Sequence, residues 1–221
     1  MRRFLIPLVG IAAAASLAAC HDAGIGQCFE SGATAYNVAA NGDTTKIFHW
    51  LGPDMPVRVY AEPVDSLTQN VLRGMQLWTS AFRCNELSLQ QWTDSTTADI
   101  VFRNPSFLPP VPAARANLVT GDSVGACFGR TDFAPLDSLG RLPRPIRSYV
   151  APAGTDTAAT SACYHFVVAH ELGHGLGLFA HSTDPNDLMY TQPKHTALSL
   201  DDRYTIQLLY HFDAPIKPAL R

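Results

Sequence analysis

The stretch HELGHGLGLFAH, residues 170–181, contains the side chains whose types and spacing could do chemistry. His170 and His174 are four positions apart, so on a helix their imidazoles lie one above the other and face a common point. Glu171 is turned about 100° from His170 at ~3.6 residues per turn, so its carboxylate approaches that point from the side. Two imidazoles and a neighbouring carboxylate predict a zinc site at which Glu171 acts as general base toward a bound water.

A hydrolytic zinc ion needs a third protein ligand and an open fourth position. Gly177 lies three residues after His174, where a glycine can end a helix in the left-handed conformation and turn the chain back. The four residues from there to His181 can span about 13 Å at ~3.3–3.6 Å each, so reach does not exclude His181. The other candidates for the third ligand are Asp184, Asp187 and His195.

The stretch resembles the active-site motif of the metzincin zinc metalloproteases and, within them, of the matrixins. Their pattern is H-E-x-x-H-x-x-G-x-x-H, followed after a short loop by a methionine turn. Here Ala180 stands where the third histidine would fall, which means one extra residue between Gly177 and His181. The eight-residue step from His181 to Met189 matches the matrixin step. The resemblance therefore implies that His181 is the third ligand, that Met189 supports the site from below, and that Phe179 or Ala180 bulges.

The resemblance covers residues 47–211. Beyond the motif it rests on ADIVF, which is similar to a strand signature of matrixin catalytic domains, and on LSLDDRYTIQLLY, which is similar to their final helix. It implies an endopeptidase with one catalytic Zn²⁺ on His170, His174 and His181, with Glu171 as the catalytic base and proteins or peptides as substrates.

The resemblance also implies where a substrate would bind. Matrixin substrates lie extended along an edge strand ahead of the active-site helix, which here points to residues near Gly125 to Thr131. Phe166, four residues before His170, falls where matrixins set the depth of the S1′ pocket. Its bulk implies a shallow pocket.

The elements that must position these residues predict an α/β (α+β) fold. Alternating apolar residues indicate strands, and apolar residues at helical spacing indicate helices. The predicted strands are 55–63, 87–92, 98–103, 125–133 and 146–152, and the predicted helices are 65–83, a long buried helix from about Thr160, and 198–212. The last helix has Ser199 as N-cap, with Asp202 completing a capping box. The resemblance makes this a twisted, mostly parallel metzincin-like sheet with an active-site helix, a second packed helix and a C-terminal helix.

The N-terminus has the pattern of an export signal. MRR precedes an uncharged apolar run, Phe4 to Ala19, which is shorter than the ~20 residues of a membrane-spanning helix. LAAC at 17–20 resembles the bacterial lipobox, which implies cleavage before Cys20 and lipidation of that cysteine. The protein is then expected to be exported and anchored to a bacterial membrane, and His21 after the cysteine favours the outer membrane or cell surface.

The predicted organisation is a lipoprotein signal peptide at 1–19, a lipidated tether at 20–46, a metallopeptidase domain at 47–212 and a tail at 213–221. Four cysteines follow the lipidated one, and an even number in an exported protein predicts two disulfides whose pairing stays open. These cysteines are Cys28, Cys84, Cys127 and Cys163. About 200 mature residues suit one domain, and we expect a monomer.

Composition restricts the partners. Loss of Arg2 and Arg3 with the signal would take the formal charge from −3 to −5, so no basic patch favours nucleic acid. The alternative function is a non-catalytic surface binding module that zinc stabilises on a metzincin fold. Glu171 argues against it, because a purely structural zinc site gains nothing from a carboxylate beside an open position.

Overall fold

The computed structural model describes residues 28, 33–36, 47–64, 66–105, 109–110, 119–124, 127–136, 140–152 and 157–211. The predicted signal peptide, the lipidation site Cys20 and the tail at 213–221 lie outside the described residues. So does the predicted tether at 20–46, except for residues 28 and 33–36. The predicted domain boundaries therefore remain predictions.

Within the described ranges the chain forms six strands, three α-helices and a short 3₁₀-helix at Gly52–Asp54. The strands are β1 (Val57–Ala61), β2 (Leu89–Trp92), β3 (Ile100–Arg103), β4 (Val119–Val124), β5 (Cys127–Asp132) and β6 (Ile146–Pro152). The helices are α1 (Leu67–Thr79), α2 (Thr157–Gly175) and α3 (Leu200–His211).

The six strands form one sheet in the order β2-β1-β3-β6-β5-β4. The pairs β1·β2, β1·β3 and β3·β6 are parallel, whereas β5 is antiparallel to both β6 and β4. Five strands therefore run in one direction, and β5 alone runs against them. The predicted α/β class and the mostly parallel sheet are confirmed.

Helices α1 and α2 pack against each other, and α2 lies on β5 and β6. The apolar face of α1 is buried at helical spacing, with Leu67, Val71 and Trp78 almost fully enclosed. The Trp78 indole N–H donates to the Ala169 carbonyl of α2 at 2.7 Å, which satisfies its one polar group inside the core. The amphipathic pattern of α1 thus produces the helix pair that carries the histidines.

The start of α3 follows the predicted capping box. The Asp202 N–H donates to Ser199 Oγ at 2.9 Å, and the Ser199 N–H donates to Asp202 Oδ2 at 3.0 Å. Two N–H groups that the first turn leaves without helical acceptors are thereby satisfied. This prediction is confirmed, and it fixes the buried position of Asp202 near the site described below.

The outer edge of the sheet differs from the prediction. Residues 119–124, for which no strand was predicted, pair with β5 along its whole length, from Val119 opposite Asp132 to Val124 opposite Cys127. The expectation of an edge strand near Gly125 to Thr131 is wrong, because β4 lies outside β5. The reason is that VTGDSV contains glycine and aspartate, which are depleted in strands, so only pairing with β5 reveals this strand.

Two disulfides are present, which confirms their predicted number and selects one of the three possible pairings. Cys28 is joined to Cys84, and Cys127 at the start of β5 is joined to Cys163 of α2. The second bond ties the helix of the HELGH residues directly to the sheet. Among the described residues, no helix has both the length and the apolar character that a membrane span requires.

Candidate metal centre

His170, His174 and His181 meet at one point between α2 and the loop that follows it. One ring nitrogen from each lies within 4.8 Å of the other two. The Nε2 atoms of His170 and His174 are 3.1 Å apart. Tetrahedral zinc with Zn–N distances of ~2.0–2.1 Å holds its ligand nitrogens about 3.3 Å apart, so the separation of His170 and His174 fits that ion, and His181 brings a third nitrogen within 4.8 Å of both.

The two helical imidazoles are oriented by backbone carbonyls. His170 Nδ1 bonds the Leu188 carbonyl at 2.7 Å, and His174 Nδ1 bonds the Leu178 carbonyl. Because a carbonyl oxygen only accepts, each Nδ1 is the protonated nitrogen, and the lone pair is on the Nε2 that faces the cluster. Both side chains are fully buried, whereas His181 is partly exposed.

The turn that leads to His181 begins with Gly177. Gly177 has φ +110°, a conformation that glycine adopts without penalty. The Gly177 N–H donates to the His174 carbonyl at 2.9 Å and the Leu178 N–H to the Gly173 carbonyl at 3.1 Å. These two bonds form a Schellman motif, which ends the helix and turns the chain back. A Cβ at Gly177 would also collide with the Phe48 carbonyl oxygen.

Phe179 lies in the segment that is one residue longer than the matrixin pattern. Its ring is buried, with its centroid 4.6 Å from that of Phe133 and 6.0 Å from that of Phe48. Ala180 is partly exposed beside it. The loop therefore directs its largest side chain into the core, and His181 still lies beside the other two histidines.

The methionine turn closes beneath the histidines. The Ser182 N–H donates to the Met189 carbonyl at 2.8 Å, so the turn folds back onto the residue after His181. Met189 is fully buried and lies against Gly173, where an added Cβ would be 2.5 Å from the Met189 sulfur. This places the methionine under α2, against a residue, Gly173, that lies between the two helical histidines in sequence.

Two carboxylates hold this turn: Asp202, which the sequence did not connect with the site, and Asp187, which was a candidate ligand. Asp202 is fully buried and accepts the N–H of Leu188 at 2.8 Å and that of Met189 at 3.3 Å. Asp187 accepts a hydrogen bond from the Ser182 hydroxyl. Burial raises the pKa of Asp187, and the bond from Ser182 opposes that rise. The capping box had indicated Asp202 only as a helix cap.

The rival third ligands lie elsewhere or have other roles. Asp184 is exposed and accepts the N–H of Asn186, Asp187 bonds Ser182, and His195 is exposed. The described residues contain a second cluster with metal-like spacing, formed by Cys28, Glu86 and His211. The sulfur of Cys28 is bonded to Cys84, so it is not a thiolate ligand, and His211 Nε2 lies 3.0 Å from Glu86 Oε1.

Glu171 is fully buried on the β5 side of α2. Its Oε2 accepts a hydrogen bond from the Thr131 hydroxyl at 2.6 Å. The sequence did not predict the contact of Thr131 with Glu171, although the alternation of Thr131 with Cys127 and Gly129 along β5 is the signal that puts all three on one face. Phe166, the residue proposed for the S1′ pocket, is partly buried, and its ring centroid is 5.8 Å from that of His165.

Comparison with known proteins bears on the same region. The family model described as Matrixin matches residues 89–211, more than half of the chain. Matrilysin of Homo sapiens is 41% identical over 61 residues, which are 25% of this chain and 22% of matrilysin. Matrix metalloproteinase-18 of Xenopus laevis is 46% identical over 67 residues, which are 27% of this chain and 14% of that protein. The alignments thus span less than a quarter of either relative. On the family match and the fold, the chain belongs to the matrixin family.

Proposed function

We propose that this protein is a zinc-dependent endopeptidase that hydrolyses peptide bonds of proteins at or outside the cell surface. The observation that carries the proposal is the convergence of three imidazole nitrogens within 4.8 Å of one another, next in sequence to a buried glutamate. Membership of the matrixin family supports the same class of reaction.

The three histidines would hold one Zn²⁺. His170 and His174 would bind through Nε2, because their Nδ1 atoms bond backbone carbonyls, and His181 would bind through a ring nitrogen. When bound there, zinc supplies a Lewis acid for the scissile carbonyl and lowers the pKa of a water molecule in the open position. The buried hydrogen bonds to Leu188 and Leu178 keep both helical imidazoles oriented for that role.

Glu171 would move the proton. Its carboxylate takes a proton from water as the water oxygen forms a bond to the scissile carbonyl carbon. The same carboxylate then gives that proton to the amide nitrogen as the carbon–nitrogen bond breaks, so that an acid and a free amine leave. Glu171 returns to its ionised form for the next cycle.

The chain from residue 21 onward tests this function. We expect one zinc per chain in both the wild type and Glu171→Gln, with cleavage of a peptide library by the wild type alone. The substitution keeps the shape of the side chain but removes its ability to take a proton. One zinc with equal inactivity in both proteins would favour the non-catalytic binding module.

Phe166 would limit the S1′ pocket. The family position and the partial burial of its ring support this role. Phe166→Leu is expected to widen the range of side chains accepted after the scissile bond, measured by sequencing the library products. An unchanged cleavage profile would contradict the assignment.

Location would be set by Cys20. The lipobox-like LAAC sequence supports lipidation there, and the anchor would hold a monomeric catalytic domain at the membrane. Cys20→Ser is expected to move the protein from the membrane fraction to the soluble fraction, and mass spectrometry of the N-terminal peptide should lose the acyl chains. Retention of the variant on membranes would contradict the anchor.

A further inference from the structure

We infer that Thr131, supported by Ser148, is a positioning residue that holds the Glu171 carboxylate in its working orientation. The inference rests on the proposed function, because it assigns a purpose to the orientation of the catalytic base. Thr131 lies on β5 and Ser148 on β6, and all three side chains are fully buried.

The hydrogen bonds between these three residues run in one direction. Thr131 Oγ1 donates a hydrogen bond to Glu171 Oε2 at 2.6 Å. Thr131 Oγ1 is also 2.9 Å from Ser148 Oγ. Thr131 has one hydroxyl proton and directs it to Glu171, so Ser148 donates to Thr131. Each bond in such a chain polarises and strengthens the next.

The spacing of contacting residues along α2 matches their spacing along β5. Cys163, Val167 and Glu171 are four residues apart on α2, an advance of about 6.0 Å per step at 1.5 Å per residue. Cys127, Gly129 and Thr131 are two residues apart on β5, about 6.6 Å per step. The three pairs meet in order, by the disulfide, by packing of Val167 against Gly129, and by the hydrogen bond.

Gly129 makes room for the carboxylate. A Cβ at this position would collide with Glu171 Oε1 and with Val167 Cγ1. The backbone of β5 therefore approaches the glutamate closely on one side, while Thr131 bonds it on the other oxygen. Contact with the β5 backbone at Gly129 and the hydrogen bond from Thr131 together restrict the rotation of the Glu171 side chain.

The hydroxyl of Thr131 has a second, weaker contact with the Glu171 main-chain carbonyl at 3.3 Å. That contact could serve helix packing alone. A positioning role and a purely structural role therefore predict different kinetics, because the first acts on the chemical step and the second on folding stability. Misplacement of a catalytic group by about 1 Å can cost on the order of 10²-fold in rate.

The test uses the zinc-loaded full-length protein and Thr131→Val, which keeps the shape of the side chain and removes the hydroxyl. We expect kcat to fall about 10- to 100-fold with KM for a peptide substrate within about twofold. Thr131→Ser, which restores the hydroxyl, should recover most of kcat. Ser148→Ala should lower kcat by only about two- to fivefold, because Thr131 can still donate.

Thr205→Val is the matched control. Thr205 is also fully buried and donates to the Asp201 carbonyl at 2.6 Å, but it lies on α3 away from Glu171. Its loss should lower the midpoint of thermal unfolding without changing kcat. A Thr131→Val protein with kcat within twofold of wild type, or a Thr131→Ser protein no better than Thr131→Val, would overturn the inference. If Thr131→Val does not fold, Thr131→Ala takes its place in the kinetic comparison with the wild type. In that case too, an unchanged kcat in Ser148→Ala would overturn the supporting role of Ser148.

A readout besides activity separates this inference from the proposed function. Zinc affinity, measured by competition with a chelator, should stay within about threefold in Thr131→Val, since no ligand is touched. Crystal structures of the two proteins should show the Glu171 carboxylate rotated in the variant. A wild type that binds zinc but cleaves no peptide would refute the proposed function, whereas an unrotated Glu171 in the variant would refute the positioning role.

Discussion

The helix α2 and the loop after it both contribute histidines to one centre, but they hold them in different ways. His170 and His174 are fixed by helical geometry, are fully buried, and have their Nδ1 atoms on the backbone carbonyls of Leu188 and Leu178. His181 is partly exposed and lies in a loop whose course depends on Gly177 and on the turn behind it.

The difference explains why an extra residue is tolerated in one region and not in the other. An insertion between His170 and His174 would rotate one imidazole by about 100° and separate the ligands. The segment between Gly177 and His181 is one residue longer than the matrixin pattern, and its Phe179 packs against Phe133 while His181 stays beside the other two histidines. Ligand spacing is thus strict where a helix sets it and adjustable where tertiary contacts set it.

The largest effect is expected at the helical histidines. His170→Ala and His174→Ala each remove one proposed zinc ligand and leave a buried carbonyl without its donor. We expect the free energy of zinc binding to weaken by roughly 3–5 kcal/mol, which is about a third of the ~10–16 kcal/mol typical of structural zinc sites. Competition with a chelator would measure it. His49→Ala is the control, since His49 is also buried and bonds the Trp50 carbonyl at 2.9 Å. An equal loss of zinc affinity in His49→Ala would contradict the assignment of His170 and His174 as zinc ligands.

His181→Ala is expected to lower zinc affinity by less, about 10²-fold, because this histidine lies in a partly exposed loop and not on the buried helix. Its thermal unfolding in the absence of zinc should stay close to that of the wild type, since the side chain is partly exposed. Peptide cleavage should disappear. Retention of both zinc and cleavage would mean that the loop contributes no ligand.

Asp202→Asn tests whether α3 stabilises the methionine turn through the hydrogen bonds that Asp202 accepts from Leu188 and Met189. The buried carboxylate accepts the N–H groups of Leu188, Met189 and Ser199, and hydrogen bonds to charged groups contribute about 1.5–3 kcal/mol. We expect the free energy of unfolding in urea to fall by about 3 kcal/mol and zinc affinity to fall about tenfold. Asp201→Asn, one residue away and partly exposed, should change stability by no more than about 0.5 kcal/mol. Equal effects of the two substitutions would remove the special role of Asp202.

Ser182→Ala is expected to have the smallest effect. It removes the hydroxyl that bonds Asp187 but leaves the backbone bond from Ser182 to Met189 in place. Zinc affinity should fall by about three- to tenfold, which is at or below the low end of the ~10- to 100-fold losses found when residues that support a metal ligand are replaced. Calorimetric titration with zinc would measure it, and a loss as large as that of His181→Ala would show that the turn is weaker than its hydrogen bonds indicate.

Local patterns predicted the parts of the site that depend on short-range geometry. The spacing of His170 and His174, the helix end at Gly177 and the cap formed by Ser199 and Asp202 all follow from residues close in sequence. Each depends on helical periodicity or on backbone conformations that few residue types adopt.

Local sequence patterns do not predict contacts between residues that are far apart in the sequence. The hydroxyl of Thr131 meets Glu171 forty positions away, and that pairing exists only after β5 packs against α2. Strand β4 was missed because Gly121 and Asp122 have poor strand propensity, and its partner supplies what propensity does not. The disulfide pairing was open for the same reason, since four cysteines allow three combinations.

X-ray absorption spectroscopy of the zinc-loaded protein tests the central claim, that His181 completes a three-histidine site despite the longer spacing. The wild type should show three imidazole nitrogens and one oxygen at about 2.0–2.1 Å, and His181→Ala should show two imidazoles. Three imidazoles in the variant, or only two in the wild type, would contradict it.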